Sequence, residues 1–128
     1  MSFEVRACRN DRVMLFSYAE PITAMDIESA FEKFRVVADK ATAPVHSVSD
    51  LSLVSLLPAN MLGFVRSPQS PICHPNAGQM VVVSRNNFVG AVMSAIARLM
   101  PQARIHPVPS MEQAWIKIDD ILAQEAQR

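Results

Sequence analysis

The stretch that decides the fold is residues 48–64, with the sequence VSDLSLVSLLPANMLGF. Its apolar residues before Pro58 are suited to burial against a sheet. Pro58 suits the first turn of a helix, where its missing N–H is not needed. The stretch therefore predicts the end of a strand, a loop and a new helix, and it contains no complete catalytic signature.

The size and composition of the chain are those of a globular domain. It has 128 residues, enough to bury a sizeable core. Hydrophobic residues make up 50% of the sequence and charged residues 19%, which separates it from disordered chains. We find no internal repeat, so we expect a single domain over residues 1–128.

The charge pattern limits the kinds of partner that we expect. Twelve Lys and Arg residues balance twelve Asp and Glu residues, and the nearest approach to a basic stripe is Arg6, Arg9 and Arg12. The beginning of the sequence lacks the apolar core of a signal peptide, and Pro58 and Asn60 interrupt the longest apolar run. We therefore expect a cytoplasmic protein with no nucleic-acid partner and no transmembrane segment.

The first third of the sequence predicts a hairpin and a helix. Residues 3–9 and 13–18 are typical of two strands, joined around Asn10 and Asp11. Thr23 is followed by Asp26, a variant of the capping box, and apolar residues then recur at helical spacing. These patterns predict a helix over residues 24–40.

Three strand–helix units follow. The first has a strand over residues 45–49 and a short helix that Pro58 opens and that ends near residues 66–68. The second has a strand over 79–83 and a helix capped by Asn86 or Asn87 and stopped by Pro101. The third has a strand over 103–108 and a helix that begins with a capping box at Ser110.

The predicted order of elements is β-β-α-β-α-β-α-β-α. A hairpin followed by strand–helix units predicts an α/β fold, with a mixed, mainly parallel sheet, four helices and right-handed crossovers. Residues 67–78 contain three prolines and no periodicity. A connection of this length in a compact domain is predicted to be mobile or functional.

The element order and the residues around the central stretch together resemble the STAS-like superfamily, which includes the anti-sigma-factor antagonists. The local resemblance is Asp50-Leu51-Ser52, followed by apolar residues and a helix carrying Leu62-Gly63. The resemblance implies a STAS-like fold and a surface for a protein partner. Its partner-binding residues are expected at Leu51, Ser52, Ala59, Asn60, Met61 and Phe64.

One departure from the family pattern affects regulation. The antagonists carry Asp-Ser-Ser-Gly where this chain has Pro58-Ala59-Asn60-Met61, so the phosphoacceptor serine falls on Ala59. Alanine has no hydroxyl to phosphorylate. The resemblance therefore implies a module without the usual phosphoserine switch.

Histidine and cysteine could supply chemistry, but their spacing favours structural roles. Cys73 and His74 are adjacent, whereas zinc ligands that are close in sequence are separated by two or more residues. Cys73 could be a nucleophile with His74 or His46, but no cation lies close enough in sequence to activate the thiol. We expect no metal and no cofactor, with Cys8 and Cys73 as free thiols.

A second candidate site follows the strand over residues 79–83. Arg85, Asn86 and Asn87 lie between that strand and a helix, where free N–H groups suit an anion or another ligand. The alternative is that the asparagines simply cap the helix, and this interpretation is favoured.

Three functions remain open from the sequence. The leading hypothesis is a non-enzymatic module that binds a protein partner or itself. The second is a carrier of a small apolar or lipid-like ligand, with residues 67–78 as a lid. The third is an enzyme that uses Cys73 or His46.

Overall fold

A computed structural model describes residues 3–127, and the side chains from residue 4. It contains five strands, four α-helices and two short 3₁₀ turns. The strands are β1 (Phe3–Cys8), β2 (Val13–Ala19), β3 (Val45–Leu53), β4 (Ala77–Val83) and β5 (Ile105–Val108); the helices are α1 (Ala24–Lys40), α2 (Met61–Arg66), α3 (Asn87–Leu99) and α4 (Met111–Ala126); the 3₁₀ turns are Pro71–Cys73 and Pro101–Ala103.

The five strands form one mixed sheet whose spatial order follows the sequence. β1 pairs antiparallel with β2, and β2, β3, β4 and β5 are parallel to one another. The predicted α/β fold, with its element order and mainly parallel sheet, is confirmed.

The helices divide unequally between the two faces of the sheet. Side chains of α1 and α3 pack on one face, against residues that include Phe16 and Val82. α4 packs on the other face, where Ile118 lies over the centre of the sheet. A steady progression of strands with crossovers of one hand places the connecting helices on a common face, so only the last helix can cover the opposite one.

The helix starts are fixed by local capping. The Thr23 hydroxyl accepts a hydrogen bond from the Asp26 N–H at 3.2 Å, and the Asp26 carboxylate accepts one from the Thr23 N–H at 3.0 Å. This capping box gives α1 the bounds that its sequence predicts. At the start of α4, the Ser110 hydroxyl accepts from the Gln113 N–H.

The hairpin turn is tied to the last helix. Arg9, Asn10 and Asp11 have positive φ angles of 52°, 57° and 63°, a conformation that tolerates asparagine and aspartate better than most side chains. The Arg9 guanidinium lies 4.6 Å from the centre of the Trp115 ring and 3.1 Å from Asp119 Oδ1. These two contacts hold the turn against α4.

The structure differs from the sequence prediction on both sides of α2. β3 continues to Leu53, four residues beyond the predicted end, because its pairing with β4 continues to Asp50 and its pairing with β2 to Leu53. α2 starts at Met61 and not at Pro58: Asn60 is its N-cap residue, and the first helical hydrogen bond runs from the Phe64 N–H to the Asn60 carbonyl oxygen. Residues 67–78 contain a 3₁₀ turn and the first residues of β4.

Candidate functional site

Apolar side chains are exposed at the carboxyl end of the parallel strands. Leu53 at the end of β3 is 73% exposed, and Leu56 in the following loop is 72% exposed. Met25 and Phe88, at the starts of the helices that follow β2 and β4, are also exposed. The helix after a parallel strand begins at the carboxyl edge of the sheet, so all four side chains lie at that end. We call Met25, Leu53, Leu56 and Phe88 the carboxyl-edge surface.

Exposed large apolar side chains are distributed unevenly over the molecule. The described side chains include seven large hydrophobic residues that are exposed, and four of them belong to the carboxyl-edge surface. The other three, Val36, Leu99 and Ile116, lie on different helices. Single exposed hydrophobic residues are ordinary, whereas several at one end of a domain indicate an interaction surface.

The loop that carries Leu56 is anchored by Glu20, which directly follows β2. Glu20 Oε1 accepts hydrogen bonds from the N–H and the hydroxyl of Ser55, both at 2.5 Å, and from the Leu56 N–H at 3.0 Å. The hydrogen bonds from Ser55 are the main cause of a lowered Glu20 pKa. The ionised carboxylate therefore fixes the position of the loop.

The predicted partner-binding residues are not equally available. Ala59 and Asn60 are exposed in the turn before α2, and Ser52 is half-buried. Met61 and Phe64 are half-buried on α2. Leu51 is buried in the core beneath α3, so its side chain is not available to a partner.

The most exposed leucines were not singled out by sequence analysis. Leu53 has the same strand parity as buried Leu51, so periodicity alone predicts that it faces the core. The pairing of β2 and β3 shifts register between Ser17–Asp50 and Ala19–Leu53, so the alternation that buries Leu51 does not continue to Leu53 at the end of the strand. The sequence does contain one indication of this exposure. Leu53, Leu56 and Leu57 lie close together, and one short loop cannot bury three leucine side chains.

The structure favours the capping interpretation of the second candidate site. Asn86 Oδ1 accepts hydrogen bonds from the N–H groups of Phe88 and Val89, at 2.9 and 3.1 Å. Arg85 and Asn87 are exposed beside an open crevice between the starts of α3 and α4. The asparagine carboxamide already satisfies helix N–H groups that an anion would need.

His46 belongs to a buried polar network at the opposite, amino end of the parallel strands. Its side chain is 1% exposed, and its Nδ1 accepts a hydrogen bond from the Gln79 N–H at 2.8 Å. Its Nε2 lies 2.7 Å from Glu125 Oε1, and the other oxygen of that carboxylate contacts the Arg12 guanidinium. Burial lowers the pKa of His46, although the Glu125 carboxylate opposes the shift.

The second strand histidine lies close to this network without forming a metal site. His106 Nε2 is 2.6 Å from Gln79 Oε1, and burial together with Lys117 and Arg104 lowers the His106 pKa. Gln79 therefore stands between His106 and His46. Within residues 3–127, no three His, Cys, Asp or Glu side chains come together in a way that could hold a metal ion.

Cys73 and His74 do not form a nucleophile and its base. Cys73 is exposed, with its Sγ 3.4 Å from the Ser67 carbonyl oxygen. Both ring nitrogens of His74 are engaged elsewhere, one with Asp39 at 2.7 Å and the other with the Asn76 N–H at 3.0 Å. His74 therefore holds the connection before β4 against α1.

The comparisons with known proteins do not identify a family for this chain. No protein-family model matches this chain, and no curated protein matches it. The STAS-like relationship remains a prediction from the sequence. Over the described part of the chain, none of the helices has the length and apolar character needed to cross a membrane.

Proposed function

We propose that this chain is a non-enzymatic, cytoplasmic, STAS-like module that binds a protein partner, or a second copy of itself, through the carboxyl-edge surface. The observation that carries the proposal is the placement of Met25, Leu53, Leu56 and Phe88 at one end of the sheet. Large apolar side chains exposed at one end of a domain gain from leaving water when a partner covers them.

The anchoring of the surface supports the same function. Leu56 lies in a loop whose N–H groups are bonded to Glu20, and Phe88 lies in the first turn of a capped helix. Side chains on a fixed backbone lose less freedom on binding than side chains on a mobile segment. The surface is therefore suited to binding without a large rearrangement.

Regulation by a phosphoserine at the family position is not part of the proposal. Ala59 is exposed in the turn before α2, at the position that the resemblance assigns to the phosphoacceptor. Without a hydroxyl there, binding would respond to the concentration of the partner or to another signal.

Catalysis is the less supported alternative. His46 is buried at the amino end of the strands, and exposed Cys73 lies in the connection before β4. Among residues 3–127, both ring nitrogens of His74 contact groups other than the Cys73 thiol, and buried His46 is paired with Glu125.

The experiment compares two double variants that carry the same change in charge. Leu53→Asp with Leu56→Asp alters the carboxyl-edge surface, and Val36→Asp with Ile116→Asp alters exposed residues on α1 and α4. The readouts are self-association by sedimentation velocity and partner capture from cells that contain the protein, with circular dichroism as a check of folding. We expect the first variant to lose association and the second to retain it.

The result that overturns the proposal is equally specific. A folded Leu53→Asp, Leu56→Asp variant that self-associates and captures partners as the unaltered protein does would show that this surface is not the interface. Loss of association in both double variants would also contradict the assignment of the interface to the carboxyl edge.

A further inference from the structure

The pairing of β3 with β4 is irregular at the amino end of the two strands. Two successive pairs, Val45 with Ala77 and Ser47 with Met80, enclose one residue of β3 and two residues of β4. The extra residue makes a β-bulge, in which part of the hydrogen-bond ladder between the strands is disrupted. Backbone groups at the bulge therefore need partners from outside the ladder.

His46 is the β3 residue at the bulge, and its side chain supplies one such partner. The β4 residues are Gly78 and Gln79, and the Gln79 N–H donates a hydrogen bond to His46 Nδ1 at 2.8 Å. A Cβ on Gly78 would collide with the same nitrogen, so the glycine leaves the space that the ring occupies. The imidazole therefore takes the place of a strand carbonyl as the acceptor.

This hydrogen bond fixes the position of the proton on the neutral ring. A nitrogen that accepts a hydrogen bond carries no proton, so the single proton of neutral His46 is on Nε2. Nε2 lies 2.7 Å from Glu125 Oε1 on α4. A second proton has only Nδ1 to bind. It would turn Nδ1 into a donor that faces the Gln79 N–H, and the hydrogen bond would be lost.

The surroundings of the ring disfavour that second proton. The His46 side chain is 1% exposed, so a cation there would lose nearly all of its hydration, and this burial is the main cause of the lowered His46 pKa. Among the described residues, Glu125 on α4 favours the cation, whereas Arg12 before β2 and Arg104 before β5 oppose it. The Glu125 carboxylate also contacts Arg12, which weakens its attraction for the ring.

His106 on β5 holds the other end of the same glutamine. Its Nε2 lies 2.6 Å from Gln79 Oε1, and the charges that act on it are those of Lys117 on α4 and Arg104. His106 thus contacts the side chain of Gln79, whereas His46 contacts its backbone. A proton on His106 leaves the backbone hydrogen bond in place, so the bulge responds to His46.

The backbone on both sides of the bulge is held independently of His46. The Val45 N–H donates to the Asn76 carbonyl oxygen at 2.8 Å, and the Met80 N–H donates to the Arg104 carbonyl oxygen at 3.1 Å. The Asn76 carboxamide in turn donates to the carbonyl oxygens of the last turn of α1. Loss of the Gln79 hydrogen bond therefore opens a short segment and leaves the rest of the sheet in place.

We propose that the bulge in β4 is a proton-sensitive switch, in which a second proton on His46 releases the Gln79 N–H and opens the amino end of the β3–β4 pairing. The proton comes from solvent and binds Nδ1, and no covalent bond between heavy atoms changes. The open form binds this proton more tightly than the closed form, so the population of the open form rises as pH falls. The switch lies at the opposite end of the strands from the carboxyl-edge surface, and either can exist without the other.

Nuclear magnetic resonance of the ¹⁵N-labelled full chain measures both partners in one sample. At pH 7.5 we expect the His46 proton on Nε2 and a Gln79 amide that is protected from hydrogen exchange. The protection factor, which is corrected for the intrinsic effect of pH, should fall about tenfold for each pH unit below 6.5, until the lowered pKa of His46 is reached.

Urea separates local opening from unfolding of the domain. Local opening exposes little surface, so urea concentrations below the unfolding transition should hardly change exchange at Gln79. The amide of Val82, which is buried in the same strand, should exchange through unfolding of the whole domain and accelerate steeply with urea.

His46→Asn separates hydrogen bonding from charge. Asparagine Oδ1 and histidine Nδ1 are both bonded to Cγ, so the amide oxygen can accept from the Gln79 N–H without binding a proton in this pH range. Local opening at Gln79 should therefore lose its pH dependence in this variant. His106→Gln is the matched control, because it removes the neighbouring titratable ring and retains His46, and the pH dependence should persist there.

Four outcomes overturn the proposal. A neutral His46 ring with its proton on Nδ1 would contradict the geometry, and a Gln79 amide that stays protected while His46 takes up a proton would show that the two are not coupled. Exchange at Gln79 with the same urea dependence as at Val82 would show unfolding of the domain and no switch. These three are measured on the unaltered protein and need no variant. A pH dependence retained in His46→Asn would assign the response to another group.

Discussion

A single carboxylate oxygen of Glu20 accepts both the N–H and the hydroxyl of Ser55, which lies thirty-five residues further along the chain. Glu20 follows β2 and Ser55 follows β3, so the contact joins the segments just beyond the carboxyl ends of two neighbouring strands. It ties the loop before α2 to a fixed point. The Leu56 N–H also donates to this oxygen, so the backbone of this exposed leucine is held by Glu20.

Glu20→Ala should loosen that loop without unfolding the domain. The N–H groups of Ser55 and Leu56 lose their acceptor, so their hydrogen exchange should become faster while exchange in the core of β3 is unchanged. Glu32→Gln, a change at an exposed glutamate on α1, is the matched control. Equal exchange at Ser55 in the unaltered protein and in Glu20→Ala would contradict the anchoring role.

The hydrogen bonds between Glu20 and Ser55 should depend on pH. Hydrogen bonds from the Ser55 hydroxyl and N–H lower the Glu20 pKa below its usual 4.5, so the contact is fully present above that pH and is lost as pH falls through the lowered value. The amide resonances of Ser55 and Leu56 should therefore move together with a midpoint below 4.5. Glu20→Gln should abolish the transition, and its persistence there would assign it to another group.

His46 and His106 should make the domain less stable in mild acid. Burial lowers the pKa of His46 and of His106 below 6.5, so below that pH the unfolded chain binds protons that the folded chain resists. The free energy of unfolding should fall as pH decreases from about 7.5 to about 5.5, measured by urea denaturation. His46→Gln with His106→Gln should flatten this dependence, and an unchanged dependence would refute the assignment.

Gly78 should be intolerant of a side chain because of His46. A Cβ at Gly78 would lie 2.1 Å from His46 Nδ1 and 2.4 Å from its Cε1, so the imidazole ring would have to move. We expect Gly78→Ala to lower the free energy of unfolding by about 1–3 kcal/mol. In Gly90→Ala the nearest atom is Ser84 Oγ at 3.1 Å, and the better helix propensity of alanine offsets that contact. Equal urea midpoints for the two variants would contradict the explanation.

Ile118 should be the most costly position on α4 to truncate. It is fully buried against the sheet, so Ile118→Ala should cost about 2–5 kcal/mol through lost burial and the remaining void. Ile116→Ala, two residues earlier and exposed, should cost less than about 0.5 kcal/mol. Both substitutions change the helix propensity by the same amount. The difference between their free energies of unfolding, measured by urea denaturation, therefore reports the effect of burial.

Local interactions explain which parts of the fold were predictable. The bounds of α1 follow from Thr23, Asp26 and apolar spacing, all within the helix or next to it. The start of α2 was predicted at Pro58 but lies at Met61. The loop before this helix is bonded to Glu20 through Ser55 and Leu56, and no local pattern reveals this remote partner.

The candidate site was only partly predictable for the same reason. The sequence indicated the segment around α2, but it placed Leu51 at the surface and did not single out Leu53. Which of two leucines in one strand is covered depends on the register shift between β2 and β3, and that is a property of the assembled sheet. The contact of His46 with Glu125 joins positions 79 residues apart, so spacing could not show it.

The sequential strand order leaves β1 and β5 as the two edges of the sheet, and neither is a good template for another strand. β5 has four residues, and Pro107 has no N–H to donate. β1 carries exposed Glu4 and Arg6, charges that a strand from another chain would have to accommodate. We therefore expect assembly of this protein to proceed through its side-chain surfaces, and its concentrated solutions to resist growth into edge-to-edge fibrils.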